Sequence, residues 1–227
     1  MSLSIWNHYA EQIKKSDYVE KTWDFLSDEE ITEFTATASD SGTLTVADTV
    51  NGGAALLTTK INSDDNIVNV MGDSSYLTLG LGRKVLYWTR LKSDEVTQCD
   101  WHTGLFKVDT ALVAAFTDGV YFKSDDGDAY VDCGVRGASV ESLMQAAGGS
   151  ATASQFYDLL FYIDMDSTTA AKGTAYFYKD GVPICQVASG AFPLEAVAMT
   201  AGVELQTGQS GAVQVMTVDF IKVLFTR

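Results

Sequence analysis

Hydrophobic and polar residues alternate along most of this chain with the two-residue period of a β-strand. The alternation begins near Trp23, is clear in short segments such as 43–46 and 76–79, and continues to 213–225. Residues 84–92 are the strongest predicted strand of the first half, because aromatic and β-branched residues fill them and turn residues bound them. The pattern therefore predicts a chain of many short strands.

Short turns rich in Asp, Gly and Ser separate these predicted strands. The turn 179–181 contains Asp-Gly and joins 173–178 to 182–187, which is a strong signal for a β-hairpin. The turn 124–128 joins a second pair of strands in the same way. The predicted fold class is therefore all-β, an antiparallel two-sheet jelly-roll sandwich with a short N-terminal helical segment.

The N-terminal segment has a different period, with four apolar residues at helical spacing: Ile5, Trp6, Tyr9 and Ile13. A helix this short is marginal in water, so its apolar face should pack on something. It either covers part of its own sandwich or anchors the chain to a neighbouring subunit through these residues. The predicted domains are an N-terminal helical or anchor segment, 1–21, and a β-sandwich, 22–227.

Residues 139–153 are a second stretch whose apolar spacing differs from that of the strands. Val140, Leu143, Met144 and Ala147 recur three to four residues apart, before a Gly-Gly-Ser loop. This spacing predicts one or two helical turns.

Composition and charge narrow the function classes. The 227 residues are 46% hydrophobic and 20% charged, which suits one large folded domain. The net charge of −15 repels phosphate backbones, so no nucleic-acid partner is predicted. The apolar runs are too short to span a bilayer, and no secretory signal is recognisable, so no membrane partner is predicted. The three cysteines, Cys99, Cys133 and Cys185, are expected to be free thiols in a protein made in a reducing cytoplasm.

Three aspartates around Gly127 are the strongest candidate for a metal site: Asp125, Asp126 and Asp128. Calcium takes six to eight oxygen ligands, but the spacing differs from that of an EF-hand loop. Asp and Gly are also ordinary residues of hairpin tips, so a solvated turn is the alternative. The polar stretch 62–66 is a weaker candidate of the same kind. No other metal site and no cofactor is predicted.

The order of motifs from Trp23 to Arg227 resembles that of tailed-phage virion structural proteins with a concanavalin A-like, LamG-like jelly roll. The matching features are Trp23-Asp24-Phe25, the stretch 52–59, the strand 84–92, the hairpin 175–187 and the C-terminal strand 218–223. The resemblance implies a protein of the virion, made in the host cytoplasm. Its partners would be the major capsid protein or other virion proteins, with a homo-oligomer possible.

The predicted function is a non-enzymatic virion structural protein, most simply a capsid decoration or cement protein, or a head fibre. One domain without a fibrous repeat suits a knob on the capsid surface better than a tail component. The alternative is a glycan-binding, lectin-like module for host attachment on a tail or head fibre. The third hypothesis is a glycoside hydrolase, for which Asp164 and Asp166 are the nearest carboxylate pair. A turn at the end of a strand explains these two residues equally well.

Overall fold

The computed structural model describes residues 2–25, 32–39, 41–47, 53–60, 67–145, 148–193, 195–208 and 212–227. Over these residues the chain forms two helices, α1 (Ser2–Ile13) and α2 (Leu112–Ala115), and a series of antiparallel strands. The strands are β1 (Tyr18–Trp23), β2 (Phe34–Ala38), β3 (Thr43–Val46), β4 (Ala55–Thr58), β5 (Ile67–Gly72), β6 (Lys84–Ser93), β7 (Cys99–Phe106), β8 (Gly119–Ser124), β9 (Asp132–Gly137), β10 (Val140–Met144), β11 (Tyr157–Met165), β12 (Gly173–Lys179), β13 (Val182–Ser189), β14 (Thr200–Thr207) and β15 (Val215–Thr226). The all-β prediction is confirmed.

The strands form two sheets in which many neighbours are far apart in sequence. In sheet A the order is β13-β12-β11-β6-β15-β4-β3, and β1 also pairs with β15. In sheet B the order is β10-β9-β8-β7-β14-β5-β2. The long strands β6 and β15 lie side by side in the middle of sheet A, while β7 and β14 do so in sheet B. The chain therefore crosses repeatedly between neighbouring strands that are distant in sequence, which is typical of a jelly roll.

Aromatic rings fill the middle of the core between the two sheets. Tyr87 and Phe161, on neighbouring strands of sheet A, stack with ring centroids 4.8 Å apart. Phe122 of sheet B meets Phe161 at 5.9 Å and Phe177 edge-on at 5.2 Å. These residues alternate along their strands with others that face outward, so one side of each sheet faces the shared core.

The outward face of sheet A is also apolar, and helix α1 covers it. The Trp6 and Trp88 ring centroids lie 5.4 Å apart, and the Tyr9 ring stacks on Tyr162 at 4.1 Å. The hydroxyls of Tyr9 and Tyr178 are hydrogen-bonded at 2.6 Å. The helix forms because its apolar stripe finds this surface, which supplies the stability that a short isolated helix lacks.

The outward face of sheet B is covered by residues 107–118, which include α2; we call them the cover segment. Leu112 and Phe116 of this segment are buried against Phe106 and Tyr121. Phe116 meets Tyr121 at a centroid distance of 4.8 Å and Phe106 at 5.1 Å, both edge-on. Each sheet is therefore buried on both sides over its central strands.

Both predicted hairpins are present. Strands β12 and β13 pair across Asp180 and Gly181, whose φ angles of 52° and 76° place both residues in the left-handed region. A two-residue turn of this kind matches the twist of the flanking strands, which is why Asp-Gly is favoured there. Strands β8 and β9 pair in the same antiparallel way.

The helical turns predicted for 139–153 are wrong. Residues Val140–Met144 form strand β10, which pairs with β9 at the edge of sheet B. Ala138 and Ser139 have φ angles of 49° and 67° and reverse the chain tightly, so the next residues return along β9. Residues 146–147 lie outside the described residues. A short run of apolar residues fits a helix or an edge strand equally well, and the pairing with β9 determines that these residues form a strand.

Strand β1 begins at Tyr18, which pairs with Thr226, and ends at Trp23, which pairs with Ile221. The predicted division between 1–21 and 22–227 therefore falls inside a strand of sheet A, and the division stays a prediction. No helix in the described part of the chain is long and apolar enough to cross a membrane.

The packing of α1 on sheet A predicts a large cost for truncating its most buried side chain. Ile13 has no exposed surface, so Ile13→Ala should lower the free energy of unfolding by about 3 kcal/mol. Glu11 is exposed on the same helix, and Glu11→Ala should change stability by no more than about 0.5 kcal/mol. Chemical denaturation measures both values. Equal effects of the two substitutions would mean that α1 is not held on its own sheet.

Candidate functional site

The four predicted anchor residues lie on the face of α1 that meets sheet A. Trp6 and Ile13 are buried, while Ile5 and Tyr9 are half-buried and pack against the same cluster. Their apolar surface is thus used within the chain, as in the first of the two alternatives for this segment. Attachment to a neighbour through these residues stays a prediction, and it requires α1 to leave its sheet.

The three aspartates of the β8–β9 turn each have a different partner. Asp125 accepts a hydrogen bond from Lys123 Nζ at 2.7 Å, and Asp128 Oδ1 accepts one from the Tyr130 amide at 2.9 Å. The Asp126 amide donates to Asp100 Oδ1 at 2.7 Å. No group of three or more His, Cys, Asp or Glu side chains within the described ranges could hold a metal ion. Calcium binding here stays a prediction, and the stretch 62–66 lies outside the described residues.

A surface cavity of about 510 Å³ lies where β11, β12 and β13 reach one end of sheet A; we call it the rim cavity. It contains both carboxylates of the predicted pair. Its lining consists of Asp164, Met165, Asp166, Lys172, Gly173, Thr174, Tyr176, Ala188 and Gly190. Cavities of about 300–1,000 Å³ with a few polar groups are typical of small-ligand sites.

Local contacts fix the Asp164 carboxylate in the rim cavity. Lys84 Nζ donates to its two oxygens at 3.1 and 3.2 Å, and also to the Tyr162 hydroxyl at 3.1 Å. Burial alone would lower the pKa of Lys84, but the hydrogen bonds to Tyr162 and Asp164 outweigh it and raise that pKa. Lys84 therefore stays charged and holds Asp164 in one orientation.

Asp166 is held by the turn that follows β11. Its Oδ1 accepts hydrogen bonds from the Thr168 hydroxyl and amide, both at 2.7 Å, and from the Thr169 amide at 2.8 Å. These bonds lower the pKa of Asp166 to about 2. The carboxylate is therefore ionised at neutral pH and cannot serve as a general acid there.

An aromatic ring lies beside these polar groups. Tyr176 is half-buried on the outward side of β12, with its ring centroid 6.1 Å from that of Tyr162 in a stacked orientation. The cavity thus combines an aromatic surface with fixed carboxylates, the Thr174 hydroxyl and the Lys172 ammonium. Such a combination suits a ligand with both apolar C–H surface and hydroxyl groups.

A second polar cluster lies under the cover segment, around Glu204 in the middle of β14. Glu204 has no exposed surface. Its Oε2 accepts a hydrogen bond from the Leu112 amide at 2.6 Å, and its Oε1 accepts one from the Val113 amide at 2.8 Å. On the next strand, Asn69 Nδ2 donates to the Asp109 carbonyl at 2.9 Å. Side chains of sheet B thus hold the cover segment by its backbone.

His102 lies directly opposite Glu204 on the neighbouring strand β7. Its ring is 5.6 Å from that of Phe116 and 5.5 Å from that of Tyr121. Burial, with the nearby charges of Lys123 and Arg136, lowers the pKa of His102 to about 3, so the ring is neutral. Trp101 belongs to the core between the sheets, so it faces away from His102.

The other end of the cover segment is held by Arg136. Its Nη1 donates to the Phe116 carbonyl at 3.0 Å, and its guanidinium lies 4.5 Å from the centroid of the Phe116 ring. Arg136 Nη2 also pairs with Glu141 at 3.1 Å, and the Tyr121 hydroxyl donates to the same carboxylate. The cover segment is therefore tied to three strands of sheet B.

Glu204 was not a predicted site residue, although the sequence carries a signal for it. It is a single carboxylate between Val203 and Leu205 in a strand that is buried throughout. Burial raises the pKa of Glu204, the hydrogen bonds from Val113 and Leu112 oppose the rise, and the charges of Asp109 and Asp100 add to it, so that the pKa is about 7. Catalytic acids also have carboxyl groups with a near-neutral pKa. The Glu204 carboxyl group differs from them because it has no contact with solvent.

The sequence matches no known family model and no curated protein. Solved structures do share the fold. An endo-1,3-beta-glucanase from Streptomyces sioyaensis superposes with a TM-score of 0.64 at 11% identity, over 93% of this chain and 97% of that chain. An endo-beta-1,4-glucuronan lyase from the fungus Trichoderma reesei gives 0.56 at 8%, over 83% and 89%. The carbohydrate recognition domain of Emp46p in its potassium-bound form gives 0.58 at 10%, over 88% and 94%.

These likenesses confirm the concanavalin-like jelly roll. They also correct one prediction: the prediction that the protein is not an enzyme is contradicted, because a glucanase and a lyase share its fold. At such low identity the likenesses show the fold alone and assign no reaction to this chain. None of them bears on a phage particle, so the virion part of the resemblance stays a prediction.

The raised pKa of Glu204 predicts an effect of pH on stability. The folded pKa of about 7 lies above the ordinary value of 4.5, so the folded chain binds the proton more tightly than the unfolded chain does. The contribution of Glu204 is therefore most favourable below pH 4.5 and declines as the pH rises through 7, by on the order of 3 kcal/mol. Glu204→Gln removes this titration. The stability of the variant relative to the parent should rise between these two pH values.

His102 changes the stability with pH in the opposite direction, and it is present in both the parent protein and the Glu204→Gln variant. Its folded pKa of about 3 lies below the ordinary 6.5, so its contribution is lost as the pH falls from 6.5 towards 3. Only the difference between variant and parent therefore isolates Glu204, and urea denaturation at several pH values measures it. Glu11→Gln on the exposed side of α1 is the control for the same chemical change at a site without burial. If the free energy of unfolding of Glu204→Gln changed with pH in parallel with that of the parent, the prediction would be contradicted.

Proposed function

We propose that the protein binds carbohydrate in the rim cavity. The observation that carries this proposal is the Tyr176 ring beside two fixed carboxylates, Asp164 and Asp166, in a cavity of about 510 Å³. A sugar ring offers an apolar C–H face that can stack on an aromatic side chain, and hydroxyls that can donate to carboxylates. The concanavalin-like fold, shared with a carbohydrate recognition domain, supports the proposal.

The acceptors of the rim cavity are preorganised, which favours binding. Asp164 is held by Lys84, and Asp166 is held by Thr168 and Thr169, so little side-chain freedom remains to be lost. The two carboxylates and the net charge of −15 disfavour anionic sugars. The proposed ligands are therefore neutral glycans.

Loss of the Tyr176 ring should weaken this binding. A glycan array with the intact protein should identify neutral ligands, and Tyr176→Ala should bind them roughly ten-fold more weakly by calorimetry. Tyr130→Ala is the matched control, because Tyr130 is an exposed tyrosine that precedes β9 and does not line the rim cavity. Circular dichroism and thermal melting check that both variants are folded.

Two results would count against the proposal. One is an array that stays empty for neutral glycans both with and without calcium. The other is binding that Tyr176→Ala and Tyr130→Ala reduce equally, since this would locate the ligand away from the rim cavity.

We further propose that the protein is a structural component of a tailed-phage virion, most simply a capsid decoration protein in contact with the major capsid protein. The order of motifs from Trp23 to Arg227 favours this setting. The net charge of −15 suits docking on a basic surface. The two proposals are compatible, because a protein on the outside of a particle can bind host glycans there.

Imaging tests the virion proposal directly. Particles purified from a host that makes this 24.5 kDa chain should contain it by mass spectrometry, and reconstruction should show the sandwich as a repeated knob on the capsid. Its occupancy should fall when particles are washed at high salt, because salt screens the attraction between charged surfaces. Particles that lack the chain while the host lysate contains it would contradict the proposal.

A further inference from the structure

The three cysteines are free thiols in this structure, but two of them lie together. Cys133 is buried on β9 of sheet B, and Cys185 is half-buried on β13, the end strand of sheet A. The two side chains lie beside each other across the gap between the two sheets, because β9 and β13 pack against each other there. They are well separated in sequence, so only the fold brings them together.

The packing of the core explains this contact. Cys133 is the cross-strand partner of Phe122, and Cys185 is the cross-strand partner of Phe177. Directly opposed residues on antiparallel strands point to the same side of their sheet, about 4.5–5.5 Å apart. Phe122 and Phe177 meet edge-on across the core at 5.2 Å. The two cysteines therefore face each other one strand away from this aromatic contact.

We propose that Cys133 and Cys185 form a disulfide that links sheet A to sheet B when the protein meets a disulfide oxidant such as oxidised glutathione. Cys185 has exposed surface, so it gives up its proton and attacks the glutathione disulfide, forming a mixed disulfide and releasing one glutathione. Cys133 then loses its proton and attacks the Cys185 sulfur, which releases the second glutathione. The two protein thiols are oxidised by two electrons, and one glutathione disulfide is reduced to two thiols.

The position of the bond gives it a structural effect. Strand β13 ends sheet A, and its neighbours across the core are β9 and β10 at the corresponding edge of sheet B. A bond here closes the sandwich at an edge where backbone hydrogen bonds cannot link the two sheets. Burial raises the pKa of the Cys133 thiol, and so does the neighbouring Cys185. A raised pKa slows the second step, so the bond should form over hours and persist once formed.

Cys99 provides an internal control. It is buried, its Sγ donates to the Glu95 carbonyl at 3.1 Å, and its other sulfur contact is the Ser93 hydroxyl at 3.9 Å. Burial raises the pKa of Cys99 to about 12. Because Cys99 has no exposed surface and its sulfur contacts are the oxygens of Glu95 and Ser93, oxidation of the folded chain should leave it as a thiol.

The test uses the full chain in a buffer of oxidised and reduced glutathione, at equilibrium, followed by acid quenching, alkylation and tryptic mapping. The cleavage sites place the three cysteines in separate peptides, 93–107, 124–136 and 180–222. The link between 124–136 and 180–222 should be at least about ten-fold more abundant in the folded chain than in the chain unfolded by guanidinium chloride. Cys99→Ser should keep the link, and Cys185→Ser should abolish it.

Thermal melting supplies a second measurement. Closing a loop of about 50 residues should raise the Tm of the oxidised protein by about 10 °C over the reduced one. A folded chain with no more of this link than the unfolded chain would overturn the proposal, and so would a link that involves Cys99 instead. A linked protein that melts at or below the reduced one would overturn the structural role.

Discussion

The structure depends on one constraint, which is that the central strands of both sheets are buried on both sides. On β6, Val85 and Tyr87 face the shared core, while Leu86 and Trp88 face outward and are equally buried. Antiparallel sheets commonly leave one face to water, and here that would expose large aromatic side chains. Burial of apolar surface contributes about 25 cal/mol per Å², so covering these faces is a substantial part of the stability. Helix α1 and the cover segment are therefore layers of the fold.

Part of this arrangement can be predicted from the sequence. Alternation identifies many of the strands, and the Asp180-Gly181 hairpin follows from local backbone chemistry alone. The unbroken apolar run 159–163 is typical of a strand buried on both faces. The sequence therefore also indicates that the outward face of its sheet is covered by another part of the chain. Strand β10 was not predictable, because its weak apolar pattern fits a helix or a strand and only its pairing with β9 decides. Local sequence thus predicts elements well where the turn or the period is strong.

The candidate sites depend more on long-range pairing. Asp164 and Asp166 were identifiable as a carboxylate pair, but nothing in the sequence shows that Tyr176 lies beside them. Glu204 lies opposite His102 only because β14 pairs with β7, although a long stretch of chain separates the two strands. The contact of Cys133 with Cys185 likewise needs the register of two hairpins and the packing of the sheets. A single sequence contains the residue types of these sites without the strand order that assembles them.

Different interactions hold the two layers on the outward faces, helix α1 and the cover segment. Helix α1 is held by aromatic and aliphatic contacts, such as Trp6 on Trp88, which pH hardly alters. The cover segment is held in addition by the Glu204 carboxylate, whose pKa lies near 7. Protonation removes the negative charge that strengthens its bonds to the Leu112 and Val113 amides, while it relieves the cost of burying that charge. Of the two outward faces, that of sheet B is therefore the one whose cover responds to pH near neutrality, and that of sheet A stays closed.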